Sequence, residues 1–290
     1  MSAFLKTLVI VGPVLLVVLG LRACASGEGD RWLDRAREWE DALELVVDDE
    51  DLIVIAPNEP LGHAAAAELR HFLPRVVREH GALLGEPRRE QMVAVLFSDP
   101  KFVRAFAGRN QFFVPNQFTG MHGYTDPLHG ALFVPVEQGF QTLRHEAVHW
   151  IMGTATSNSV AYSPWLSEGL AQLFESDPPG VSPDGVEYVR ATMPGGASFD
   201  VDRLIHLEDY QAFVSQMGAR NYAEALVLTA FLFHKRPRSL LQAYVEEERR
   251  SLEGRPLAFH ELYHHEDAKF GNDLAAYLRE VRTIPPPAER

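Results

Sequence analysis

The stretch Arg144-His145-Glu146-Ala147-Val148-His149-Trp150 constrains this chain more than any other. On an α-helix, residues four apart share a face, so His145 and His149 can reach one metal ion only if the segment is helical. Glu146 then lies beside them, within reach of a water on that ion. A fold that uses the motif must give it a helix and bring a third ligand from elsewhere, leaving one position open. The flanking sequence agrees. From Glu137 to Met152 the spacing predicts a helix, with Phe140, Leu143, Ala147 and Ile151 on one side and the histidines on an adjacent one, and Gly153 reads as its stop. Ser163-Pro164 reads as the cap and first residue of a second helix running to Glu175. That helix carries Glu168, with 18 residues between it and His149.

His-Glu-x-x-His, 18 residues, then Glu within Trp-Leu-Ser-Glu-Gly is similar to the aminopeptidase N-like gluzincins. Arg-His-Glu and Pro-Trp-Leu-Ser-Glu-Gly-Leu-Ala resemble more closely the small bacterial peptidase-MA-like proteins. The resemblance covers about Arg144 to Glu175 and extends weakly to the helix at Tyr222. It implies an α+β, thermolysin-like zincin fold: a small mixed β-sheet followed by a mainly helical part. It also implies one Zn²⁺ held by His145, His149 and Glu168, with Glu146 as general base in the hydrolysis of a peptide or protein substrate. Gln172 and Glu175, one and two turns beyond Glu168, are candidates to orient the ligands. In thermolysin-like proteins an Asp commonly stands where Gln172 is. A Tyr or His from a later helix should donate to the oxyanion, and Tyr222 is the candidate, with Tyr210 and His206 behind it. The Gly-x-Met-Glu-Asn segment that holds a free amino terminus in the aminopeptidases is absent, so that specificity does not carry over.

The rest of the chain is read in five parts. Residues 1–24 hold a charge-free apolar run, Thr7–Leu21, behind Lys6, which reads as a signal peptide or membrane anchor. Leu21-Arg22-Ala23-Cys24 resembles a bacterial lipoprotein signal, with Arg22 where an uncharged residue is usual. These readings place the remainder outside the cytoplasm, associated with the cell envelope. Residues 25–47 read as a linker and a helix, Arg31–Val47, whose Trp residues are core. Residues 48–136 read as an α/β part: strand Leu52–Ala56, helix Leu61–Leu84 kinked at Pro74, strand Met92–Phe97, and a helix from Ser98 to Ala107. A hairpin follows, whose second strand, Ala131–Val134, reads as an edge because of Pro135. An extended peptide could pair with that edge. Residues 137–284 are the zinc-binding helical part, and 285–290 a disordered tail.

The single cysteine, Cys24, excludes an internal disulfide and a Cys-based metal site. A net charge of −13 without a basic stripe argues against a nucleic-acid partner. His122, His129 and the pair His264-His265 read as polar turn residues. The rival functional class is a membrane-tethered binding or scaffolding protein that keeps a non-catalytic zinc site.

Overall fold

The structure is a computed structural model and describes residues 28–87, 91–103, 123–126, 129–136, 139–155, 162–193, 199–207, 210–215, 217–251 and 268–283. Several readings lie outside these residues: the segment 1–24, the helix beyond residue 103, His122, His264-His265 and the tail.

A helix, α1 (28–37), precedes a five-stranded mixed sheet built from β1 (Glu44–Asp48), β2 (Leu52–Ala56), β3 (Met92–Phe97), β4 (Tyr124–Asp126) and β5 (Ala131–Pro135). The order across the sheet is β1-β2-β3-β5-β4, with β2, β3 and β5 mutually parallel and the two outer strands antiparallel to their neighbours. The three parallel strands are buried at every position, as strands covered on both faces must be. Side chains alternate between faces. Leu52, Val54, Met92, Ala94, Leu96, Leu132 and Val134 face the main core. Ile53, Ile55, Val93, Val95, Phe97 and Phe133 face a smaller core closed by Trp32, Leu33 and Ala36 of α1 and by Leu43.

The main core is helical. It collects α2 (Glu59–Leu84), α3 (Gly139–Ala155), α4 (Pro164–Leu173), α5 (Pro183–Thr192), α6 (Val201–Ile205), α7 (Tyr210–Ser215), α8 (Gly218–Lys235), α9 (Arg238–Ser251) and α10 (Ala268–Thr283). Asn58 starts α2 by accepting from the Leu61 N–H at 3.0 Å, with Pro60 in the first turn, where its missing N–H costs nothing. The helix then continues through Pro74.

Four expectations are corrected. The helix read as Arg31–Val47 ends at residue 37, and Glu44–Asp48 is a strand. The helical spacing of Trp32, Leu33 and Ala36 is real. Leu45, Val46 and Val47 belong to a run of strand-favouring residues that pairs with β2. Strand Ala131–Val134 is not an edge: it lies between β3 and β4. Pro135 is the last residue of β5, beyond the last β4 pairing at Tyr124↔Phe133, so its missing N–H interrupts no bond of the hairpin ladder. Among the described residues the edge on this side is β4. Gly153 lies inside α3 rather than after it, and the Thr154 hydroxyl donates to the Trp150 carbonyl at 2.6 Å in the last turn. Helix α4 ends at Leu173, so Glu175 stands in the following turn.

Candidate metal centre

Helices α3 and α4 bring the motif and Glu168 together. Gly169 allows the close approach that seats α4 on α8: a Cβ there would lie 2.2 Å from Thr229 Oγ1 and 2.6 Å from the Ala225 carbonyl oxygen. The neighbouring Glu168 is thereby held at the buried end of the site, with 4% exposure.

One ligand atom each from His145, His149 and Glu168 lies within 4.8 Å of the others. His149 Nε2 is 3.1 Å from His145 Nε2. Glu168 Oε2 is 3.2 Å from His145 Nε2 and 3.6 Å from His149 Nε2. A tetrahedral zinc with bonds of about 2.0–2.1 Å sets its ligand atoms ~3.3 Å apart, so the three separations fit a zinc ion. The donor chemistry fits as well. Glu175 Oε1 lies 2.8 Å from His145 Nδ1, and a carboxylate can only accept there, so Nδ1 carries a proton and Nε2 supplies its lone pair to an ion that takes the place of the proton shared with Glu168. Two imidazole nitrogens and a carboxylate oxygen then converge on one point, an arrangement a cation resolves.

The protonation states follow from burial and neighbours. Burial raises the Glu168 carboxyl, yet the His149 charge and hydrogen bonds from both histidines more than offset this and hold it well below the usual range. Burial lowers His145, but its bonds to Glu168 and Glu175 reverse this and raise it. Glu146, 5% exposed, is pushed up by burial against the opposing pull of His145 and His149. That shift brings a carboxylate towards the proton affinity useful in a general base.

Glu146 is seated by the edge strand. The Thr125 hydroxyl of β4 lies 2.7 Å from Glu146 Oε2 and 2.9 Å from the Glu146 carbonyl oxygen. Gly123 passes so close that a Cβ would stand 2.4 Å from Glu146 Oε1.

The two tyrosines weighed as oxyanion donors are both at the site. The Tyr210 hydroxyl donates to Glu168 Oε1 at 2.9 Å and lies 2.8 Å from the Tyr222 hydroxyl. A phenol has one proton. Tyr210 commits its proton to the carboxylate, so Tyr222 donates to Tyr210. Burial pushes both phenols well above 10, and Glu168 adds to the rise, so both stay neutral donors. Asn221 ties the two elements together, its Nδ2 donating to the Phe213 carbonyl at 2.6 Å. Arg203 and Arg220 in turn hold the fully buried Glu224 one turn further along α8.

The remaining candidates are distributed as follows. Glu175 meets His145, although it stands beyond the helix from which its position was read. Gln172 does not meet a ligand ring: its Oε1 is buried with no hydrogen-bond partner. Ser167 Oγ meets His149 Nδ1 instead, at 3.1 Å. His206 Nδ1 bonds the Asp202 carbonyl on the surface, and His129 Nδ1 lies 2.6 Å from Asp126 Oδ2 in the hairpin turn, both outside the cluster. Sequence reading missed Ser167 and Thr125. Ser167 offered only the weak signal of a small polar side chain next to Glu168 on the same helix. Thr125 carried no signal of its own, because only the hairpin register brings it over α3.

Residues 140–253 are similar to a family described as a protein of unknown function (DUF1570). The matched stretch contains His145, Glu146, His149, Glu168, Tyr210 and Tyr222. No curated protein matches the chain.

Proposed function

We propose that the chain is a zinc-dependent peptidase of the gluzincin type, with a thermolysin-like arrangement of edge strand and ligand-bearing helices. The observation that carries this reading is the convergence of His145, His149 and Glu168 on one point beside a buried Glu146. When bound, a zinc ion polarises a carbonyl and makes water acidic near neutral pH. Glu146 takes the proton of the attacking water and returns it to the leaving amine. Thr125 keeps that carboxylate aimed, and Gly123 leaves room for it. Tyr222 donates to the carbonyl oxygen as charge develops there, because its proton is held only by another phenol. The outer side of β4 offers backbone groups to an extended peptide, which would then run past Glu146.

In this reading the apolar segment within residues 1–24 delivers the enzyme to the cell envelope, as a lipoprotein or a retained anchor. Among the described residues no helix is long and apolar enough to cross a membrane.

A site that only binds zinc needs His145, His149 and Glu168. It has no use for an acid at 146 seated by Thr125 and a glycine, which favours catalysis over a scaffold. The test combines metal analysis with peptide-library cleavage by the wild type and Glu146→Gln. Both should bind one zinc ion per chain, and only the wild type should cleave. Zinc in both and cleavage by neither would leave the binding-protein reading standing.

A further inference from the structure

Glu175 reaches His145 from a turn, not from a helix, and a turn needs fixing before it can orient a metal ligand. The turn after α4 is partly self-bonded: the Gly180 N–H donates to the Leu173 carbonyl at 2.9 Å, and the Ser176 hydroxyl bonds the Gly180 carbonyl at 2.9 Å. Its outward anchors come from elsewhere. Arg144 Nη1 donates to the Glu175 carbonyl at 3.1 Å while Arg144 Nε donates to Glu68 Oε1 of α2 at 2.6 Å. The guanidinium lies over the Phe72 ring, 6.0 Å from its centre. Two turns along α2 from Glu68, on the same face, Arg75 pairs with Asp177. Glu68 and Arg75 thus hold the turn at Glu175 and Asp177. The Arg144–Glu68 pair is largely shielded, with side-chain exposures of 21% and 17%, so water competes weakly for it.

We propose that Arg144, held by Glu68, is a positioning residue of the metal site: it fixes the Glu175 main chain so that the Glu175 carboxylate stays on His145 Nδ1. Resting on the zinc reading above, this adds a layer of residues behind the ligand shell and makes α2 part of the site. The planar fork of Arg144 serves both partners at once through separate nitrogens, which a lysine ammonium cannot do in fixed geometry.

The test measures Zn²⁺ affinity of the full chain by competition with a chromophoric chelator, for the wild type, Arg144→Met, Glu175→Gln and the double variant. The visible spectrum of the Co²⁺-loaded proteins is recorded alongside. Each single variant should bind Zn²⁺ about 10-fold more weakly or worse and shift the Co²⁺ bands, as loss of an orienting bond does. The double variant should bind no more weakly than the weaker single one, because both changes break the same path. Wild-type affinity and spectrum in Arg144→Met, or losses that multiply in the double variant, would overturn the proposal. If Arg144→Met fails to fold by circular dichroism, Glu68→Gln replaces it: weaker Zn²⁺ binding supports the proposal, and unchanged binding overturns it. A wild type without Zn²⁺ affinity would sink the zinc reading itself, and this proposal with it.

Discussion

Tyr210 and Glu168 are joined by a 2.9 Å hydrogen bond in which the phenol donates and the carboxylate that meets His145 and His149 accepts. This bond separates the duties of two tyrosines that lie 2.8 Å apart. Tyr210→Phe should loosen the ligand carboxylate and weaken Zn²⁺ binding about 10-fold. Tyr222→Phe should leave Zn²⁺ affinity and KM near wild type and lower kcat by about 10²-fold. Chelator competition and steady-state kinetics on the same preparations read both. A Tyr222→Phe enzyme with undiminished kcat would end its role as donor.

Gly123 is a sharper probe of Glu146 than any change to Glu146 itself. A methyl group there would stand 2.4 Å from Glu146 Oε1, 2.7 Å from its Cγ and 2.8 Å from its Cδ. All three atoms belong to one buried side chain, so Gly123→Ala must turn the carboxylate away or move β4. A displacement of that size in a general base is worth about 10²-fold in turnover. Metal content should stay at the wild-type level, because neither histidine nor Glu168 is touched. A Gly123→Ala variant that loses zinc instead would show that β4 supports the ligands as well as the base.

How far the site was legible depends on the distance over which each contact acts. His145 and His149 share one helix face, which local periodicity shows, whereas the convergence of Glu168 from a second helix was expected from the resemblance of its spacing to the gluzincins. Glu175 was expected near the ligands from helical phase, whereas the chain leaves the helix at Leu173 and the turn brings it to His145. Gln172 shares the face of Glu168 one turn on, yet its Oε1 has no hydrogen-bond partner and so accepts from no ligand ring. The position of β5 failed because Pro135 was read as a property of the whole strand, when its effect is confined to the last rung. Strand order is set by pairings between segments distant in sequence, and no local pattern encodes it. The two-sided burial of β2 and β3 was legible as unbroken apolar runs, but that α1 covers one face was not.

The seat of α4 on α8 predicts a packing defect with a defined remedy. In Gly169→Ala the new methyl would meet Thr229 Oγ1 at 2.2 Å and the Ala225 carbonyl oxygen at 2.6 Å. Overpacking of this kind costs about 1–3 kcal/mol, read as a lowered urea midpoint. Thr229→Ala, added to Gly169→Ala, removes the side-chain clash but leaves the backbone one. It should therefore restore part of the loss and not all of it. Full recovery would mean that α8 can shift freely, and the close approach would lose its place in positioning Glu168.

Glu248 of α9 gives the protein a pH dependence separate from the metal centre. Its carboxylate accepts from the Ser163 N–H at 2.7 Å and from the Ser163 hydroxyl, so it fastens the residue that precedes α4. Burial pushes this carboxyl up to about 7 from an ordinary value of 4.5, and the two Ser163 bonds only partly oppose the rise. In the interval between those values the folded protein holds a proton that the unfolded chain has released. Stability from this group is therefore complete below about pH 4.5, falls as pH rises, and levels off above about 7. The full effect is of order 3 kcal/mol. Glu248→Gln keeps an oxygen for the Ser163 N–H and has no charge to bury, so its stability should not carry this fall. Urea midpoints for the two proteins from pH 4.5 to 8 isolate the contribution, since every other titrating group is common to both. Their difference should widen in favour of the Gln variant as pH rises. Parallel curves would show that the Ser163 bonds balance the burial and leave the carboxyl unshifted.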